Sequence, residues 1–127
     1  MFEKLKNGYL AEEKFVIECL SRNIPISRPV FNVEPYDFIV EINGELKRVQ
    51  VKKAWIDTKG RHIACLKGSY PRSNIASKVS ENERVDVVAI LDCDDWYFIP
   101  REEIKHISSQ MCVSERGKYD KYRNVIG

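Results

Sequence analysis

One dipeptide, Asn43-Gly44, constrains this chain more than any other feature. It falls inside the stretch Pro35 to Lys53, which reads as two β-strands joined by a two-residue turn. A type I′ turn needs φ > 0 at both central residues, and Asn-Gly is the pair that tolerates this best. The turn fixes the register. Ile42 faces Glu45, and stepping back along both strands sets Asp37 opposite Gln50. Directly opposed residues share a face, with Cβ atoms about 5 Å apart. Lys52, two residues beyond Gln50, shares it too. Phe38, Val40, Ile42, Val49 and Val51 point to the other face, which is expected to be buried. The hairpin thus gathers a carboxylate, an amide and an amine at one end. Asp37 and Lys52 are costly on a partly buried sheet unless paired or liganded.

Residues 2–22 read as an amphipathic helix. At 100° per residue, Leu5, Tyr9, Val16, Cys19 and Leu20 fall within one arc. Glu12 lies in the middle of that arc and Glu13 at its edge. A carboxylate centred on an apolar stripe needs a cation or a metal-bound water as partner.

Pro35-x-Asp37 followed on the next strand by Gln50-x-Lys52 resembles the PD-(D/E)XK nuclease motif. The chain departs from the pattern at Tyr36 and at Gln50, where an acid is usual. Gln at that position, with Pro-Tyr-Asp and Val-Gln-Val-Lys, resembles the group I intron-encoded homing endonucleases of this superfamily. The likeness covers about residues 5 to 100 by order of elements, and its motif is short. It implies an α+β, restriction-endonuclease-like core, a mixed β-sheet flanked by helices. It also implies a metal-dependent DNA endonuclease, a homing-type double-strand cutter using Mg²⁺ or Mn²⁺. Gly8-Tyr-Leu-Ala-Glu12 matches the family's Gly-x-x-x-Glu helix pattern, which makes Glu12 a site residue. On this likeness Asp37 is the anchoring metal ligand, joined by the Gln50 amide oxygen, the Val51 carbonyl and Glu12, directly or through water. Lys52 would orient or help deprotonate the attacking water and offset phosphate charge. Gln50 leaves the site one negative charge short. The implied partners are double-stranded DNA and further copies of the chain, as a homodimer or homotetramer. A Holliday-junction resolvase and a catalytically silent nucleic-acid-binding module are the alternatives, and a hairpin whose polar face is merely solvated is the bland one.

A net charge of +2 does not announce a nucleic-acid binder. Its distribution says more. Residues 44–78 hold nine Lys/Arg against two acids, while residues 79–103 hold two against eight. The basic block begins on the motif strand, where phosphate contacts would be needed. Arg48, Lys53, Lys59, Arg61, Lys67, Tyr70, Arg72 and Lys78 are the candidate DNA contacts. Several of these lie in the long polar loop 67–84, a length that is usually functional or disordered.

The chain's 127 residues suit one domain spanning 1–127. There is no signal peptide and no apolar run near a membrane span, so a cytoplasmic, membrane-free protein is expected. Cys19, Cys65, Cys93 and Cys112 form no Cys-x-x-Cys pair, which argues for reduced thiols and against a structural zinc site. Ile26 to Phe31 reads as an edge strand, and Trp55-Ile56 as a continuation of the second hairpin strand. His62 to Leu66 is a further strand, and Val85 to Leu91 a central one. Asp92 to Asp95 forms a turn before Trp96 to Ile99, and Pro100 opens a short helix. His62 and His106 lack a nucleophile pattern and read as structural. Residues 112–127 interleave basic and aromatic groups, fitting a DNA-contacting tail, an oligomer contact or a frayed end.

Overall fold

Asn43 and Gly44 have φ of 53° and 80° in the computed structural model, so the expected turn forms. The structure describes residues 2–31, 33–69, 76–78, 83–107 and 109–126. Helix α1 (Phe2–Ser21) leads to β1 (Ile26–Ser27), β2 (Phe38–Ile42), β3 (Glu45–Lys53), β4 (Trp55–Ile56), β5 (His62–Cys65), β6 (Lys67–Ser69), β7 (Ala76–Lys78), β8 (Val87–Asp92), β9 (Asp95–Pro100) and β10 (Gln110–Cys112). The main sheet has five strands in the order β1-β2-β3-β8-β9. Its β3–β8 pair is parallel and the rest are antiparallel. The α+β class and the mixed sheet are as expected. The hairpin register is too, with Ile42 across from Glu45 and Phe38 across from Val49.

All six residues of β8 are buried. A strand covered on both faces carries no polar alternation, which is why Val87 to Leu91, within the expected strand Val85 to Leu91, holds only apolar residues. On one face Val49, Val51, Phe38, Ala89 and Phe98 meet α1. Phe15 is fully buried there, its ring centroid 5.7 Å from Phe38, 5.2 Å from Trp96 and 6.3 Å from Phe98. The helix stripe differs from the expected one. Ala11, Phe15 and Cys19 are buried and Val16 partly so, whereas Leu5, Tyr9 and Leu20 are exposed. Burial begins only at Ala11, because the N-terminal half of α1 is not packed on the sheet. Glu12 therefore flanks the buried stripe and does not centre it.

The other face of the sheet is covered too. Val88, Ile90, Tyr97 and Ile99 pack against Ala64, Leu66, Ile104, Met111 and Val113. Among the described residues this layer is a second, three-stranded sheet, β10-β5-β4, and not a second helix. Trp55-Ile56 belongs to it, so it does not continue β3. The Ala54 N–H still donates to the Leu91 carbonyl at 2.8 Å, after which the chain changes sheets to pair with β5. Pro100 opens only a 3₁₀ turn, Arg101–Glu103. The C-terminal stretch is not frayed. Tyr119 and Ile126 are buried, and Asn124 closes on Trp96, accepting its N–H at 2.9 Å. No described helix is long and apolar enough to cross a membrane.

Candidate active site

Asp37 stands one residue before β2, where the hairpin ladder runs out. Its N–H donates to the Val49 carbonyl at 2.8 Å. Its carboxylate Oδ2 accepts the Val51 N–H at 2.8 Å, so a side chain stands in for the next ladder acceptor. The C=O and N–H of one strand residue point the same way. The Val51 carbonyl is thus aimed at the edge where Asp37 sits. Burial holds the Asp37 carboxyl above the usual carboxylate range, with the Val51 hydrogen bond and the Lys52 charge opposing it.

Gln50 and Lys52 pair with Val88 and Ile90 of β8, which places them on the sheet face opposite α1. The hairpin pairing ends at Phe38 across from Val49, and Asp37 steps out of that register to bond Val49 and Val51, so the expected pairing of Asp37 with Gln50 is not part of the ladder. Glu12 comes from the helix side. It is half-buried, and its carboxyl is pushed up to about 7, first by burial and then by the Asp37 charge. Arg28 partly offsets this and Glu13 adds to it. The Asp37 charge thus reaches Glu12 on α1, and the Lys52 charge reaches Asp37 from β3.

Sequence reasoning missed Arg28. Its guanidinium lies 5.1 Å from the Phe38 ring centroid and pairs with Glu13, tying the segment after β1 to α1 beside Glu12. The only signal for it was the requirement that Glu12 have a nearby cation.

Two neighbouring carboxyls, both held above their ordinary range, mark a place that resists bare negative charge. A divalent cation removes that penalty for both at once, and a hard oxygen donor set of carboxylates, amide and carbonyl suits Mg²⁺ or Mn²⁺. Residues Glu12, Asp37, Gln50 and Val51 thus fit the expected metal.

A cleft of about 910 Å³ begins beside this group. Val51, Lys52 and Lys53 line one part, Asn7, Gly8 and Lys14 the α1 side, and Asp92 and Cys93 the far end. The candidate DNA contacts are distributed unevenly around it. Lys53 is exposed on its wall, and Lys59 is exposed in the turn between β4 and β5. Arg61 is exposed but paired with Asp57 at 2.8 Å. Arg48 is held by both oxygens of Asp86 and by the Glu83 carbonyl, so any phosphate contact competes with those bonds. The backbones of Lys67 and Lys78 sit opposite each other in the β6–β7 pair. Tyr70 and Arg72 lie outside the described residues.

A family model described as PD-(D/E)XK endonuclease matches residues 2–126. Among solved structures the chain is similar to a bacterial homing endonuclease, I-Ssp6803I, with a TM-score of 0.77 at 19% identity. That match covers 94% of this chain and 87% of the other. No curated protein matches.

Proposed function

The chain belongs to the PD-(D/E)XK endonuclease family, and from that premise we propose that it is a divalent-metal-dependent DNA endonuclease of the homing type, cutting both strands of a duplex. The observation that supports the reading is that Asp37, at the end of the hairpin, is bonded to the Val51 N–H, is influenced by the Lys52 charge and itself raises the Glu12 carboxyl on α1.

Asp37 anchors the metal, with Gln50, the Val51 carbonyl and Glu12 completing the protein ligands. When bound, the cation supplies charge relief on the scissile phosphate and a more acidic water. Lys52 orients the attacking water and offsets the phosphate charge as the water oxygen bonds to phosphorus and the sugar oxygen leaves. Asp37 keeps its shape through the Val51 N–H, so the ligand is preorganised before metal arrives. The basic residues near the cleft, led by Lys53, Lys59 and Arg61, carry the duplex by its phosphates. Arg48 joins them if released from Asp86, and Lys67, Tyr70, Arg72 and Lys78 are further candidate phosphate contacts from the sequence.

Plasmid cleavage with and without Mg²⁺ tests this reading. Asp37→Ala and Lys52→Ala should stay folded and bind DNA yet fail to nick it. Gln50→Ala should cut far more slowly, with partial rescue at high Mg²⁺, because one ligand is lost while Asp37 and Glu12 remain. Wild-type rates in the Asp37 or Lys52 variant would sink the assignment. A wild-type protein that binds DNA but neither cuts it nor binds Mn²⁺ would establish the silent binding module instead. Preference for a four-way junction over linear duplex would make it a resolvase.

A further inference from the structure

At the turn after β8, beside the cleft, three side chains of different donor chemistry converge. Asp92 closes β8 at only 8% exposure, the single buried charged residue among those described. His62, the first residue of β5, sets Nδ1 2.6 Å from Asp92 Oδ1. Cys93 follows Asp92 in the two-residue turn to β9 and is exposed. One nitrogen, one oxygen and one sulfur atom of the three lie within 4.8 Å of one another.

We propose that His62, Asp92 and Cys93 form a second metal site, one that takes a borderline-soft divalent cation of the Zn²⁺ class and is distinct from the carboxylate site at Asp37. The donor set decides the class. Imidazole and thiolate favour zinc-like ions over Mg²⁺, which seeks oxygen. Zinc bonds of about 2.0–2.3 Å put tetrahedral ligands about 3.3–3.8 Å apart. The His62–Asp92 contact would open from 2.6 Å by about 1 Å, and the separations to Cys93, each within 4.8 Å, would settle into the same range. A bound cation would oppose the charge of the buried Asp92 directly. Binding a cation there would release the Cys93 thiol proton to solvent.

Asp92 and Cys93 both line the cleft, which would give an ion a path in. The three ligands come from two different sheets. A bound ion would therefore clamp β5 of the small sheet to the β8–β9 end of the large one. The sequence hid the site because its ligands are 30 residues apart and show no paired-cysteine spacing.

Cobalt titration into reduced, metal-free protein without DNA tests the proposal, since a cysteine thiolate on Co²⁺ gives a charge-transfer absorption that oxygen ligands do not. One equivalent should produce that band in wild type, in Asp37→Ala and in Cys65→Ser. Cys93→Ser should abolish it, and His62→Gln should weaken Co²⁺ affinity at least tenfold. Zn²⁺ should raise the Tm of wild type and Asp37→Ala but not of Cys93→Ser, whose exposed position makes the substitution harmless to packing. Absence of the band at saturating Co²⁺, its survival in Cys93→Ser, or equal Zn²⁺ stabilisation of wild type and Cys93→Ser would overturn the site. Loss of the band in Asp37→Ala would overturn its independence. None of these outcomes depends on whether the protein cleaves DNA.

Discussion

Glu12 holds its proton to about pH 7 in the folded protein, against 4.5 when free of its surroundings. Between those values the metal-free folded state binds more protons than the unfolded chain, so its stability falls as pH rises through that window. Glu12 is half-exposed, and after solvent screening the fall it causes is about 1–2 kcal/mol. Asp37, also raised, adds to the fall with the same sign. Glu12→Gln should reduce the loss of stability between pH 5 and pH 8 by about 1–2 kcal/mol, measured by urea unfolding in chelator. An unchanged pH dependence in the variant would mean that Glu12 is not held where Asp37 and burial act on it. Gly8, one turn earlier, is a second test at this scale. A Cβ added there meets no atom within 4 Å, and the residue lines the cleft. Alanine should therefore stabilise the helix by about 0.5–1 kcal/mol. If the duplex backbone runs past α1 here, Gly8→Ala should weaken DNA binding while raising the Tm. Equal affinity would remove α1 from the DNA path.

Helix α1 acts as a lever between the core and the site, and Phe15 is its fulcrum. Its ring is fully buried among Phe38, Trp96 and Phe98, one turn beyond Glu12. Phe15→Ala should cost about 3–5 kcal/mol in chemical denaturation, the cost of emptying an aromatic site in a packed core. Leu5→Ala, on the exposed half of the same helix, should change stability by less than about 0.5 kcal/mol. Similar costs for both would contradict the division of the helix at Ala11. That division was not legible in the sequence, since the periodic pattern continues through Leu5 and Tyr9 and nothing local says where the sheet beneath ends. The hairpin was legible, because Asn43-Gly44 and the alternation around it are local rules that tertiary context did not override. So was β8, whose burial on both faces leaves only apolar residues before Asp92 at its end. The change of sheet after Ala54 escaped because Trp55-Ile56 prolongs a β-rich run across the break. The pairing of His62 with Asp92 and the return of Asn124 onto Trp96 escaped for a different reason. Both join residues far apart in the chain, and neither leaves a mark on its own neighbourhood.

At the scale of the whole molecule, one chain carries one Asp37–Gln50–Lys52 constellation, while a duplex has two antiparallel strands. A two-fold dimer would set two such sites against both strands, and a tetramer would do so in a larger closed symmetry. The N-terminal half of α1 supplies a surface suited to a second copy. Phe2, Leu5, Tyr9 and Leu10 follow helical spacing on one side, are all exposed, and with Lys6 and Glu13 line an apolar groove. An apolar helix stripe that the chain's own core leaves uncovered is what a self-complementary contact would bury. Lys6 and Glu13 bracket the groove with opposite charges, so an antiparallel copy of the helix would pair them across the axis. Sedimentation of wild type should show a dimer or larger at micromolar concentration. Leu5→Asp combined with Tyr9→Ser should give a folded monomer, because neither side chain supports the core. That monomer should convert supercoiled plasmid to the nicked form and yield little linear product, since each encounter brings one site. A wild-type protein that is monomeric both alone and on DNA would defeat double-strand cleavage by paired sites. A variant that dissociates yet still produces linear DNA at the wild-type rate would show that assembly through α1 is not what couples the two cuts.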